Sequence, residues 1–193
     1  MPRWKPDAQQ RLQSAALELF AEKGYDGTTI AEIADRAGLE KRSFFRHFPD
    51  KREVLFSGGA ALQDYLGRSL ELQPSSASPW DAVIDALRRS GDLVAVDREL
   101  SRLRRGVIDQ NAELREREVL KSAQLEAFLL DSLLGRGVEL PGARVIARLA
   151  SLVYERAFDA WLDSRTGETF VACVASAERE LTRALPSVLP TTR

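Results

Sequence analysis

The sequence predicts an all-α chain, a three-helix amino-terminal head followed by a larger helical bundle, and three observations carry that prediction. Apolar residues recur at three- and four-residue spacing along most of the chain. Runs of β-branched and aromatic residues alternating with polar ones are nearly absent, and Asp26-Gly27, the closest approach to a hairpin turn, lies between helical patterns. Prolines fall at 2, 6, 49, 74, 79, 141, 186 and 190, which leaves residues 80 to 140 free of the strongest helix breaker.

The elements follow in order. Leu12, Ala15, Ala16, Leu19 and Phe20 form the apolar side of a first helix, and Gly24 supplies its left-handed stop. Thr29 with Glu32 makes a capping box for a short second helix whose buried stripe is Ile30, Ile33, Ala34 and Ala37, ended by Gly38. A third helix spans about 40 to 47, with Leu39, Phe44 and Phe48 turned inward and Pro49 as its stop. Asp50 and Glu53 form a second capping box, which opens a fourth helix to about Leu72. Gly58-Gly59 interrupt that helix as either a close backbone approach or a hinge. Residues 73 to 79 read as a loop, and Ser78-Pro79 start a helix through about Arg89. Helical periodicity then covers 92 to 105 and 112 to 135. Gly135, Gly137, Pro141 and Gly142 break the chain before two last helices at 143 to 163 and 168 to 185. Both are apolar on more than one side (Val145, Ile146, Leu149, Leu152 and Val153, then Phe170, Val171 and Val174), so each needs cover on two sides.

With 193 residues, 44% hydrophobic and 30% charged, the chain has the composition of a globular protein of one or two domains. A formal net charge of -1 gives no hint of a nucleic-acid partner, so the distribution of charge has to decide that question. Cys173 is the only cysteine, which excludes an intrachain disulfide, a C-x-x-C redox pair and a four-ligand zinc site of the usual kind. The first 20 residues lack the unbroken apolar stretch of a signal peptide and no 18-residue apolar run occurs, so a cytoplasmic, membrane-free protein is expected.

The charge concentrates around the third helix. From Arg36 to Arg52 six basic residues face two acidic ones, a local net of +4, whereas residues 1 to 57 together net only +1. On a helical wheel Phe44 and Phe48 fall on one arc while Lys41, Arg42, Phe45 and Arg46 share the other. About nine residues at 1.5 Å each span about 13 Å, close to the roughly 12 Å width of the DNA major groove. Two short helices joined by a glycine turn, the second cationic on its outer face, describe a helix-turn-helix.

Residues 24 to 55, GYDGTTIAEIADRAGLEKRSFFRHFPDKREVL, resemble the DNA-binding signature of the TetR-type bacterial transcriptional regulators, with its paired threonines, A-x-x-A-G turn and aromatic-x-H-F-x-x-K ending. The resemblance implies a DNA-binding head at 1–55 and an effector-binding and dimerisation domain at 56–193. It implies phosphate contacts from Thr29 and Lys51, and groove contacts from Lys41, Arg42, Ser43, Phe45 and Arg46. It further implies a homodimer joined through the last two helices, a repressor on palindromic double-stranded operator DNA, and release by a small-molecule effector. The F-F-R-H-F-P form resembles a subgroup that senses acyl-thioester-like ligands. Two positions depart from the pattern. Phe45 stands where a tyrosine is usual, so a hydroxyl is lost, and Glu40 stands where many members have a serine cap.

Other chemistry lacks its parts. His47 is the sole histidine and has no ligand-type neighbours at metal spacing; Cys173 has no base in its own segment. Neither a phosphate-cradling G-x-x-x-x-G-K-[ST] loop nor a G-x-S-x-G elbow is present. No catalytic residue, metal or cofactor is therefore expected, and the rival readings are a helical enzyme or a helical protein-binding adaptor. Tyr154, Phe158 and Trp161 share a face at i, i+4 and i+7, a spacing that serves a core or a ligand pocket. Core is the commoner use of such a stripe; the family resemblance raises the pocket reading, with Trp80, Phe128 and Leu129 as further lining.

Overall fold

The computed structural model describes residues 8–74 and 76–188. Helices run in the order α1 (Ala8–Lys23), α2 (Ile30–Arg36), α3 (Lys41–His47), α4 (Glu53–Phe56), α5 (Gly58–Glu71), α6 (Pro79–Arg89), α7 (Gly91–Val94), α8 (Arg98–Asp109), α9 (Ala112–Gly135), α10 (Leu140–Asp163) and α11 (Phe170–Val188). Among the described residues there is no β-strand.

By contact the chain divides into two units. One holds the described residues up to Gly58 together with Asp97–Lys121; the other holds Gly59–Val96 and the residues from Ser122 on. The sequence boundary after residue 55 placed 97–121 with the body, whereas these residues pack with the head. The reason is apolar. Val107 and Ile108 of α8 and Leu114 of α9 are buried in one cluster with Leu12, Phe20, Ile33, Phe44, Phe48 and Leu55, a placement that helical periodicity within 97–121 cannot reveal.

In the head unit, Gly24 and Gly38 have φ of 80° and 65°, the left-handed stops after α1 and α2. After α2 the Gly38 N–H donates to Asp35 O and the Leu39 N–H to Ala34 O, both 2.9 Å, a paired closure that occupies the last free carbonyls. The Thr29–Glu32 capping box is present in full. The second predicted box is half formed. The Asp50 carboxylate accepts from the Arg52 and Glu53 N–H groups at 2.8 and 3.0 Å, while Glu53 pairs with Arg117 at 2.6 Å.

The helix expected from 50 to 72 is two helices, α4 and α5, broken at Ser57 directly before Gly58. A Cβ added at Gly58 would meet nothing within 4 Å, so close packing does not explain this glycine. Two further boundaries moved. The helix predicted at 92–105 is split between α7 and α8, and α8 starts at Arg98, where Asp97 accepts from the Leu100 N–H at 3.0 Å. The tenth helix starts at Leu140 rather than 143, since Pro141 falls in the first turn, where its missing N–H costs no helical bond.

The body unit buries a wide alanine seam. Ala143, Ala147, Ala150, Val153 and Ala157 of α10 are buried in the same cluster as Phe170, Cys173, Val174 and Ala177 of α11, and α6 adds Ala82, Val83, Ile84, Ala86 and Leu87. No helix of the described residues is long and apolar enough to cross a membrane.

Candidate nucleic-acid interface and body cavity

Helix α3 is split into two faces by its sequence. Phe44 and Phe48 are completely or almost completely buried, their rings 5.5 Å apart between centroids. Lys41, Arg42, Phe45 and Arg46 are all exposed and Ser43 is half-buried. Phe45 is 51% exposed, unusual for a large aromatic side chain, and packs edge-on against Phe44 with centroids 5.6 Å apart. The outward residues thus sit on a rod whose inner side is anchored by two phenylalanines. Arg11 of α1 steadies the turn before it, donating to the Ala37 carbonyl and, at 3.3 Å, to that of Gly38.

The basic patch is smaller than its sequence suggests. Arg36 faces α1 and binds Glu22 through both terminal nitrogens at 2.9 and 2.8 Å, with Glu18 at 3.4 Å. The hydrogen bond from Arg36 holds the Glu22 carboxyl below its usual range, and Glu22 in turn raises the Arg36 guanidinium. Arg52 is shared between Asp50 and Glu113, at 3.1 and 2.5 Å. What remains outward is Lys41, Arg42 and Arg46, and of these Arg42 is paired with Glu40 at 2.6 Å.

Thr29 and Lys51 each serve the head's own structure. The Thr29 Oγ1 accepts from the Glu32 N–H at 3.3 Å and donates to the Glu32 carboxylate at 2.8 Å, while the side chain stays exposed at the start of α2. Glu32 is held down to about 2, first by the Lys23 ammonium and then by the Thr29 backbone and hydroxyl. The Lys51 ammonium donates to the carbonyls of Tyr25 and Thr28 at 2.7 and 2.9 Å and lies 4.1 Å from the Tyr25 ring centroid. Two of its three protons are thereby engaged, leaving one direction for an outside acceptor. Burial, followed by the Glu113 charge, pushes the Tyr25 hydroxyl up to about 12.

Sequence reasoning missed the clasp that holds α4. Arg104 of α8 donates through Nε to the Leu55 carbonyl at 2.5 Å and forks onto Glu118 at 3.1 and 2.6 Å, its guanidinium 5.3 Å from the Phe56 ring centroid. With Glu53–Arg117 and Arg52–Glu113 it ties the end of the helix-turn-helix segment to the α8–α9 hairpin. Partners separated by 49 to 64 positions leave no local signal in the chain.

In the body, the proposed effector residues fall in different surroundings. Leu129 and Trp161 belong to the buried core. Tyr154 and Phe158 are half-buried and stacked with ring centroids 6.3 Å apart, Phe158 lies 5.6 Å from Trp161, and Tyr154 meets Phe170 edge-on. Trp80 donates its indole N–H to Glu178 at 3.2 Å, and Arg88 pairs with the other carboxylate oxygen. Only Phe128 of the six lines the cavity of about 350 Å³ between α5 and α9, together with Gly67, Leu70, Glu71, Ser132, Gly135 and Arg136. The readable signal was Gly67 in mid-helix. A Cβ there would stand 3.5 Å from the Phe128 ring. Arg136 closes one end by donating to the carbonyls of Leu70 and Pro74. His47 is half-buried with its ring beside Phe48, and Cys173 is buried with Sγ 3.9 Å from a Glu168 carboxylate oxygen. Among the described residues no group of three or more His, Cys, Asp or Glu is placed to hold a metal.

This split helix, presented after a glycine turn, is what comparison with known proteins identifies. Residues 12–57 match the family described as bacterial regulatory proteins, tetR family. The match covers the helix-turn-helix head of this chain. The HTH-type transcriptional regulator TcmR of Streptomyces glaucescens is 32% identical over 132 residues, which cover 65% of this chain and 58% of TcmR. The chain thus matches little more than half the length of that relative. A tetR-family transcriptional regulator of Syntrophomonas wolfei superposes over 96% of this chain and 98% of its own, with a TM-score of 0.65 at 16% identity. Thermus thermophilus FadR, a transcriptional repressor of the family solved in complex with lauroyl-CoA, covers 96% of this chain and 97% of its own, at a TM-score of 0.56 and 21% identity. Likeness at these identities concerns the fold: a helix-turn-helix head with a helical carboxy-terminal domain.

Proposed function

We propose that the protein is a ligand-responsive transcriptional repressor that lays α3 in the major groove of a palindromic operator and leaves it when a small molecule occupies the body. The observation that carries this reading is the division of α3, with Phe44 and Phe48 sealed in the core and Lys41, Arg42, Phe45 and Arg46 outside. Arginine at a base edge reads guanine through O6 and N7, and an exposed phenylalanine suits a thymine methyl. Thr29 and Lys51 flank the face as phosphate contacts, Ser43 as a groove contact. The likeness of the head to the tetR family supports the same assignment.

The same reading requires a homodimer in the cytoplasm, where two heads meet half-sites about one DNA turn apart. Val145 and Leu152, two turns apart on α10, and Val171 on α11 are 58%, 44% and 47% exposed. Apolar side chains left open on these two helices of the body suit a second copy of the chain. For the effector, the cavity beside Phe128 supports an apolar small molecule, and an acyl thioester fits the example of FadR.

Fluorescence anisotropy tests the reading with two duplexes, one selected by the protein from a randomised pool and one shuffled. Affinity falls steeply with salt as phosphate counterions are released, and the selected duplex wins by at least about a thousandfold. Arg42→Ala relaxes sequence preference, while Lys51→Ala weakens binding evenly. Binding that ignores salt and sequence rejects the proposal and returns the chain to an adaptor role.

A further inference from the structure

Glu40 occupies the N-cap of α3 with φ -78° and ψ 150°, yet its side chain makes no capping hydrogen bond. Its neighbours along the head behave otherwise. Thr29 caps α2, and the Asp50 carboxylate accepts from the Arg52 and Glu53 N–H groups. A serine, threonine or aspartate at the same position would stabilise the helix start. The carboxylate of Glu40 instead reaches Arg42, with Oε2 2.6 Å from Nε. Residues two apart on a helix do not face each other, and Glu40 reaches only because its own backbone is extended.

The pair does little for the fold. Its side chains are 69% and 82% exposed, and exposed ion pairs contribute weakly because water screens them. What the pair changes is the approach of a polyanion. The carboxylate engages the Nε side of the guanidinium, which leaves the terminal nitrogens for a planar, two-acceptor partner such as the O6 and N7 of guanine. A phosphate can be bridged by the same two nitrogens, but it brings a negative charge up to the Glu40 carboxylate, whereas a base edge is uncharged.

We propose that Glu40 is a positioning and specificity-determining residue, which holds Arg42 for base-edge contact and places a negative charge that penalises binding to DNA without the matching base. The proposal rests on the DNA-binding reading above and adds to it the source of discrimination.

The test uses the full chain, the duplex selected by the wild-type protein and its shuffled counterpart, over a series of salt concentrations. Glu40→Gln binds the shuffled duplex about 3- to 10-fold more tightly, with a log–log salt slope steeper by about one per head. Its gain on the selected duplex is smaller, so the ratio of the two affinities falls several-fold. Glu40→Asp keeps the charge and restores the wild-type ratio; Glu40→Gln melts at the wild-type temperature, and Glu40→Asp at that temperature or, through the new cap, slightly above it. The inference is overturned if Glu40→Gln leaves the shuffled affinity and the salt slope unchanged. A parallel loss on both duplexes with a lower melting temperature also overturns it, because Glu40 would then be a structural cap. Failure of the wild-type protein to select any sequence removes the DNA-binding reading itself, and the inference with it.

Discussion

The head core and the α10–α11 seam of the body are packed with different materials. The head fills its core with large side chains, Phe20, Phe44, Phe48, Leu12 and Ile33, and binds its outer layer with arginine–carboxylate pairs. The body packs α10 against α11 through small residues, Ala143, Ala147, Ala150, Ala157 and Ala177, and leaves large apolar ones such as Val145 and Leu152 in the open. The contrast teaches where each unit is vulnerable. A core of large rings fails when volume is removed, and a seam of alanines fails when volume is added.

Phe44→Ala gives the largest effect, because a ring with no exposed surface leaves a cavity beneath the recognition helix. Loss of about 3–5 kcal/mol of stability in urea unfolding is expected, and a loss under 1 kcal/mol would show that the head collapses to fill the space. In the body the matching probe is Ala150→Leu. Its extra methylenes have no room in a fully buried position, and a cost of about 1–3 kcal/mol is expected. If Ala150→Leu stabilised the protein, the seam would be loose and the contrast between the units would fail.

Lys51→Ala removes two charge-assisted bonds to the Tyr25 and Thr28 carbonyls. A loss of about 1–2 kcal/mol follows, since the side chain is half-buried and part of the gain is offset by hydration. Thermal unfolding distinguishes this from a pure phosphate contact, whose removal leaves stability unchanged while weakening DNA binding. Replacing both Gly58 and Gly59 with alanine tests the hinge. The induction curve shifts more than operator affinity does, and an unchanged curve assigns the break at Ser57 no regulatory role.

The smallest effect concerns acid. The Glu32 carboxyl is held down to about 2 in the folded head against an ordinary value near 4.5. Its contribution is therefore fully present above pH 4.5 and is lost as pH falls toward 2. Glu32→Gln flattens the dependence of the head's melting temperature over that window; an identical acid profile in both proteins would show that the capping box carries no charge-linked stability.

The head's helix starts and stops were legible because they are local. Thr29 with Glu32, and Gly24 and Gly38 with positive φ, act within four residues of one another. The inward placement of Phe44 and Phe48 followed from periodicity alone. The size of the cationic face did not. Arg36 and Arg52 count as patch residues in sequence, and only the fold shows their carboxylate partners at Glu22 and Glu113. The effector residues were named from an aromatic stripe and from the family resemblance, and of the six the cavity takes Phe128, which it shares with Gly67 of a different helix.

The amino-acid sequence by itself determined the helical class, the glycine turn before α3, the split of that helix and the kinship of the head, since each depends on residues within one or two helical turns. Only the tertiary structure decided that residues 97–121 join the head, that Lys51 braces the α1–α2 turn and that Glu40 takes hold of Arg42. Burial and ion pairing depend on which surfaces the fold brings together, and helical spacing carries no information about the partner across the contact.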